Sequence, residues 1–147
     1  NKTIKDVCHL VRHHLSLHHY PDMSDAAIRR LIRRVGLDYL DDLLYLRAAD
    51  RAASGTKKGP ISGGTQVLLQ RIEKVLAEDA AFGLKDLAVD GHDVMEEAGL
   101  SPGPLVGSIL EELLEEVLDE PEKNTREYLL ERIAELGGTD DNSQEGE

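Results

Sequence analysis

Five histidines, His9, His13, His14, His18 and His19, fall within eleven residues of one another. On a helix, His9 with His13 and His14 with His18 are i,i+4 pairs, the spacing at which two imidazoles can reach one transition-metal ion. The nearest acid downstream is Asp22, and no Glu stands where a helical zinc protease keeps its general base. One chemistry open to this segment is a divalent ion on His13 or His14, activating water against a phosphate ester. The other is a polar helix face packed near RNA.

Four arginines make a denser pattern. Arg29, Arg30, Arg33 and Arg34 form two i,i+4 pairs, which predicts a guanidinium stripe opposite Ile28, Leu31 and Ile32. Planar guanidinium forks suit phosphate oxygens, and each such contact makes affinity depend on salt. The structural use of the same residues is a solvated face paired with Asp25, Asp38 or Asp41. Lys57 and Lys58 sit in "SGTKKGPISGG", residues 54–64, a glycine loop able to close on a polyanion. Glu111, Glu112, Glu115, Glu116 and Glu120 instead recur around Leu113, Leu114, Val117 and Leu118 as a solvent face does. With no His or Lys partner nearby they are not read as catalytic, and they should face away from RNA.

The elements that must position these side chains read almost entirely as helix. Ile4, Val7, Val11 and Leu15 predict a helix over 3–19, closed by Tyr20-Pro21, with Cys8 as a small core residue on the same face. Ser24 is the expected N-cap of a second helix over 25–35, with Gly36 as its stop. A third begins in the leucines from Leu37 and runs to Ala53, Thr65 caps a fourth, and two more cover 91–98 and 103–119. Asn124 or Thr125 caps the last, with Glu127 placed for a capping box if Asn124 is the cap. The predicted fold is all-α, with about seven helices in two packed subdomains. These are residues 1–53 and 65–136, joined by a flexible loop at 54–64 and followed by an acidic, disordered tail at 137–147.

The 147 residues carry 17 Lys and Arg against 29 Asp and Glu, net −12, which taken alone argues against nucleic acid. The average hides an asymmetry: residues 1–60 hold 11 basic against 7 acidic groups, and residues 61–147 hold 6 against 22. A surface polarised in sign can hold phosphate whatever the total. No stretch has the apolar length of a membrane span and none resembles a signal peptide, so a cytoplasmic protein is expected. One cysteine cannot form an internal disulfide. A start at Asn1, with apolar positions arriving at once, suggests a piece of something longer.

The stretch "GLSPGPLVGSIL", residues 99–110, puts a rigid turn at the mouth of a helix. Proline costs nothing in the first turn, and the exposed N–H groups beyond Gly103 have the geometry that holds a phosphate. The plainer use is a helix-to-helix turn with Gly107 allowing a close crossing.

Residues 84–131 resemble the C-terminal region of the bacterial class II tRNA nucleotidyltransferase and poly(A) polymerase family, the CCA-adding enzymes. The likeness lies in Lys85-Asp86-Leu87, Gly91, Asp93, Met95, Gly99-Leu100, Pro102-Gly103-Pro104, Gly107, Leu110, Leu113, Leu114, Asn124 and Arg126. His92 departs from it, standing where the family often has Lys. Residues 9–15 and 24–55 are similar to the helical region that in many members is an HD-type domain, Asp50 matching its last metal-binding Asp, but the His-Asp pair of that domain is missing. The family's head, with its Gly-Ser motif and the paired carboxylates that hold Mg, is also missing. The resemblance thus implies a chain without catalytic residues of its own that grasps tRNA for a catalytic head domain, using Arg29, Arg30, Arg33, Arg34, Lys57, Lys58, Lys85, Gly103 and Arg126. Two other readings stand beside it: a divergent HD-type metal-dependent phosphohydrolase, and a structural piece whose leucine-rich helices form a homodimer.

Overall fold

The computed structural model describes residues 1–17, 23–54, 63–78 and 81–138, with the side chains of 63–65 also left aside. Seven α-helices and no strand occur among the described residues, so the chain is all-α. Backbone contacts divide it into two compact units, Asn1–Asp79 and Ala80–Glu147.

The first unit holds α1 (Lys2–His13), α2 (Asp25–Val35), α3 (Leu40–Ala53) and α4 (Gly63–Ala77). Ser24 caps α2, its Oγ accepting the Ala27 N–H at 3.1 Å. Gly36 ends it at φ +89°, a backbone region that L side chains rarely adopt. Ile28, Leu31, Ile32 and Val35 go inside, as do Leu40, Leu43, Leu68, Ile72 and Val75. Helix α2 packs on α4, and Asp25 at its start accepts from Arg71 (2.8 Å) and Lys74 (2.9 Å). These pairings place α4 in the first unit. The division therefore falls later than the seam expected at 54–64, because a glycine-rich composition marks a loop but says nothing about which core the next helix joins. Residues 55–62 of that loop lie outside the described residues.

Helix α1 is turned relative to expectation. Ile4, Val7, Val11 and Leu15 are 62, 54, 54 and 57% exposed, and Cys8 is exposed rather than in the core. The half-buried side carries Asp6, His9, Leu10 and His13. His9 Nε2–H donates to the Val35 carbonyl at 2.7 Å, satisfying an acceptor in the last turn of α2 that has no partner within its own helix. The Tyr39 hydroxyl donates to Asp6 Oδ1 at 2.7 Å, and the His9 ring lies 4.8 Å from Tyr39 and 4.7 Å from His13 between centroids. Polar contacts, not the apolar stripe, set the rotation of this helix. It ends at His13, and a 3₁₀ turn, His14–Leu17, follows.

The second unit holds α5 (Gly91–Ala98), α6 (Pro104–Asp119) and α7 (Arg126–Gly138) around Val94, Ile109, Leu113, Leu114, Val117, Leu118, Leu129 and Ile133. Asp90 and Asp93 form a reciprocal capping box on α5. Gly99 closes that helix at φ +65°, while the Leu100 N–H reaches back to the Met95 carbonyl at 3.0 Å. Thr125 rather than Asn124 caps α7, its Oγ1 accepting the Tyr128 N–H at 3.4 Å. Asn124 instead stitches two segments together, accepting from the Ala88 N–H and donating to the Asp86 carbonyl, each at 2.9 Å. Helix α7 continues through Gly137, expected to begin the tail. A Cβ there would fall 2.5 Å from the Ala98 Cβ, so this glycine sets the close approach of α7 to α5. Gly107, expected to allow a crossing, has nothing within 4 Å of an added Cβ. No helix among the described residues is long and apolar enough to cross a membrane.

Candidate nucleic-acid interface

The four arginines of α2 do not share one surface. Arg29 is 6% exposed and pairs with Glu78 at 2.8 Å, holding that carboxyl below its usual range against the opposing effect of burial. Its place one residue after the buried Ile28 turns it toward α4 and not toward solvent. Arg33 is half-buried. Arg30, half-buried like Arg33, and the exposed Arg34 lie one helical turn apart on the face that also carries Ala27. With Ser16, Met23 and Leu31 they line a cavity of about 270 Å³. Ala27, Arg30, Leu31 and Arg34 follow the i, i+3, i+4, i+7 pattern of one helix face, so the sequence of α2 alone puts two guanidinium groups beside an apolar floor. Among the described lining residues none is a carboxylate.

Arg34 acts on its surroundings. His13 is held below its ordinary pKa by burial first, then by the neighbouring His9, Arg34 and Arg12.

The donors named for a divalent ion are not gathered into a site. Among the described residues no three His, Cys, Asp or Glu side chains come together as a metal would need. His14 Nδ1–H is engaged by the Val11 carbonyl of α1, His13 packs beside His9, and Asp50 is exposed on α3. Pairing His14 with His18 at i,i+4 requires the helix to run past His13, and α1 stops there. His18 and His19 lie outside the described residues, as do Lys57 and Lys58.

In the second unit Lys85 is exposed on the turn Leu84–Asp86. Arg126 grips Asp93 with both terminal nitrogens, at 2.5 and 3.0 Å. That grip, followed by the Asp90 N–H, holds Asp93 well below its ordinary carboxylate range. Gly103 caps α6 in an extended conformation that any residue adopts, followed by Pro104 at the first helical position. The nearest atom to an added Cβ there is 3.8 Å away, so the stiffness of the turn comes from its prolines. The sequence pattern does not reveal the α6–α7 clamp, in which Glu116 accepts from Tyr128 Oη (2.7 Å) and Arg132 Nη2 (2.7 Å). Burial opposes ionisation of Glu116, yet these donors win and its pKa lies below the usual value. No fixed spacing announces that trio.

Two arginines beside an apolar floor can bind and orient an anion. The match to the tRNA nucleotidyltransferase domain 2 family runs over residues 1–133. The chain belongs to that family. This tRNA nucleotidyltransferase domain 2 chain is 33% identical to the CC-adding tRNA nucleotidyltransferase of Thermus thermophilus, over an alignment of 147 residues that covers 95% of the chain and 31% of the relative. It is 39% identical over 94 residues to the A-adding tRNA nucleotidyltransferase of Deinococcus radiodurans, covering 61% of the chain and 20% of the relative. It is 40% identical over 67 residues to the CCA-adding enzyme of Limosilactobacillus reuteri, covering 46% and 17%. The chain spans less than a third of the length of each of these relatives. No solved structure matches it.

Proposed function

We propose that this chain is the tRNA-grasping portion of a cytoplasmic CCA-adding or poly(A) polymerase-type nucleotidyltransferase, positioning tRNA for a catalytic head that lies elsewhere in the polypeptide. The observation that carries this is that Arg30 and Arg34 line one cavity, in a family whose relatives are named for adding nucleotides to tRNA. Folded RNA presents an A-form backbone read through phosphates and 2′-hydroxyls more than base edges, and arginine forks supply the matching donors. Arg33 on the same helix belongs to the same cationic rim, and Lys57 and Lys58 are further candidate phosphate contacts by their charge. Lys85 and the exposed N–H groups after Gly103 form a second contact on the other unit. In this reading Arg29 and Arg126 support the fold that presents the rim. Mg²⁺ belongs to the head, where paired carboxylates hold it for in-line displacement.

The test is equilibrium binding of the chain to a tRNA transcript over a range of salt. Replacing Arg30 and Arg34 together by Ala should weaken binding, and should lower the slope of log affinity against log salt by roughly 0.7–0.9 for each phosphate no longer neutralised. Affinity indifferent both to salt and to the double substitution would end the reading.

A further inference from the structure

Helix α1 stands with its aliphatic stripe outward, and the contacts beneath it hold it so. Asp6 and His9, on the opposite face, bond to Tyr39 and to the Val35 carbonyl, and a rotation that buried Ile4, Val7, Val11 and Leu15 would break both bonds. All four are more than half exposed. Their spacing of three, four and four residues puts them in one row, the kind of seam against which a second helix packs. Such a row reaches the few hundred Å² at which an apolar patch on a monomer marks a contact surface. Lys5 and Arg12, two turns apart, run along one edge of it, and Lys2 stands at the helix start. All three cations are exposed, and none has an ion-pair partner among the described residues. The one carboxylate of the helix, Asp6, is turned away to Tyr39.

Charge decides what covers the row. A second copy brings the same cations and no carboxylate, so like charges meet. A phosphate backbone answers the cations but leaves the aliphatic row in water. Helices that lie in a bilayer surface are anchored by Trp and Phe, and the row has neither. A helix with an aliphatic seam of its own and carboxylates along the edge answers both features.

We propose that the outer face of α1, with Ile4, Val7, Val11 and Leu15 between the cations Lys5 and Arg12 and the solvent edge, docks an acidic amphipathic helix of another protein. The row is narrower than a standard interface, so the complex is of the weak, exchanging kind. It uses a different helix and a different chemistry from the tRNA reading and does not depend on it.

The experiment adds to the full chain a labelled designed helix with leucine at i, i+3, i+7 and i+11 and glutamate along its edges, and a twin with lysine in place of glutamate. Fluorescence anisotropy should show the glutamate helix held about tenfold more tightly than the lysine one, the scale of two exposed charge pairs made instead of opposed. Raising the salt should close the gap. Cys8, exposed beside the row and the chain's one cysteine, reports the place: alkylation of its thiol should slow when the glutamate helix is bound. Lys5→Glu with Arg12→Glu should reverse the preference. Val7→Gln with Val11→Gln, at exposed positions and checked by thermal melting, should weaken the glutamate helix about tenfold by removing apolar contact, while leaving tRNA binding as it was. A preference that survives the charge reversal, binding that survives the glutamine pair, or no binding of either helix overturns the proposal. A rival occupant does the same: a dimer in sedimentation that the glutamine pair dissolves assigns the face to a second copy, and tighter attachment to phosphatidylglycerol vesicles than to the glutamate helix assigns it to a lipid surface. Indifference of tRNA binding to Arg30 and Arg34 removes the earlier reading and leaves every one of these outcomes standing.

Discussion

At the scale of single residues, the same chemical type does opposite work depending on which way a helix turns it. Arg29 and Arg30 are adjacent, yet the first is buried on Glu78 and the second opens onto the cavity. Asp25 shows how far such pairing shifts a group. Donation from Lys74 and then Arg71 lowers its pKa from 3.8 to about 2. The unfolded chain takes up that proton first, so the contribution is complete above about pH 4 and fades as pH falls toward the folded value. Its size is about 1–2 kcal/mol once screening of a partly exposed pair is allowed for. Asp25→Asn should therefore cost stability near neutral pH and flatten the acid limb of a urea-midpoint-against-pH curve. An unchanged limb would place the pairing in solvent.

At the scale of elements, glycines that look alike in sequence divide into two kinds. Gly107 lies inside α6 with open space where a Cβ would go, whereas Gly137 lies against Ala98. Gly107→Ala should raise the melting temperature, a helix-propensity gain of about 0.5–1 kcal/mol with no steric penalty. Gly137→Ala should lower it, because α5 and α7 must separate to admit the methyl group. Equal responses of the two variants in thermal unfolding would contradict the α5–α7 packing. Helix α1 gives the same lesson for periodicity. Its apolar stripe is plain in the sequence and stands outside, because His9 and Asp6 bond to Val35 and Tyr39 on the opposite face.

At the scale of the whole molecule, charge follows the two units. Residues 1–79 carry 13 Lys and Arg against 10 Asp and Glu, and residues 80–147 carry 4 against 19. A polyanion is drawn to the first and repelled by most of the second. Ultraviolet crosslinking of a tRNA transcript, read by peptide mass spectrometry, should label peptides of residues 1–79 far more than those of 80–147. Predominant labelling of α6 and α7 would reverse the assignment of the interface. The sequence by itself determined the helical class, the cap at Ser24, the stop at Gly36 and the family, since periodicity, caps and motifs act over a few neighbouring residues; of the acidic face expected on α6, Glu116 turns instead onto Tyr128 and Arg132. Only the tertiary structure decided that Arg29 is a core ion pair, that α4 belongs with α2, that His9 packs against Tyr39 and His13 and bonds to Val35, and that Asn124 staples rather than caps. Each of those depends on what a side chain meets from another element, and no local spacing encodes the rotation of one helix against its neighbour.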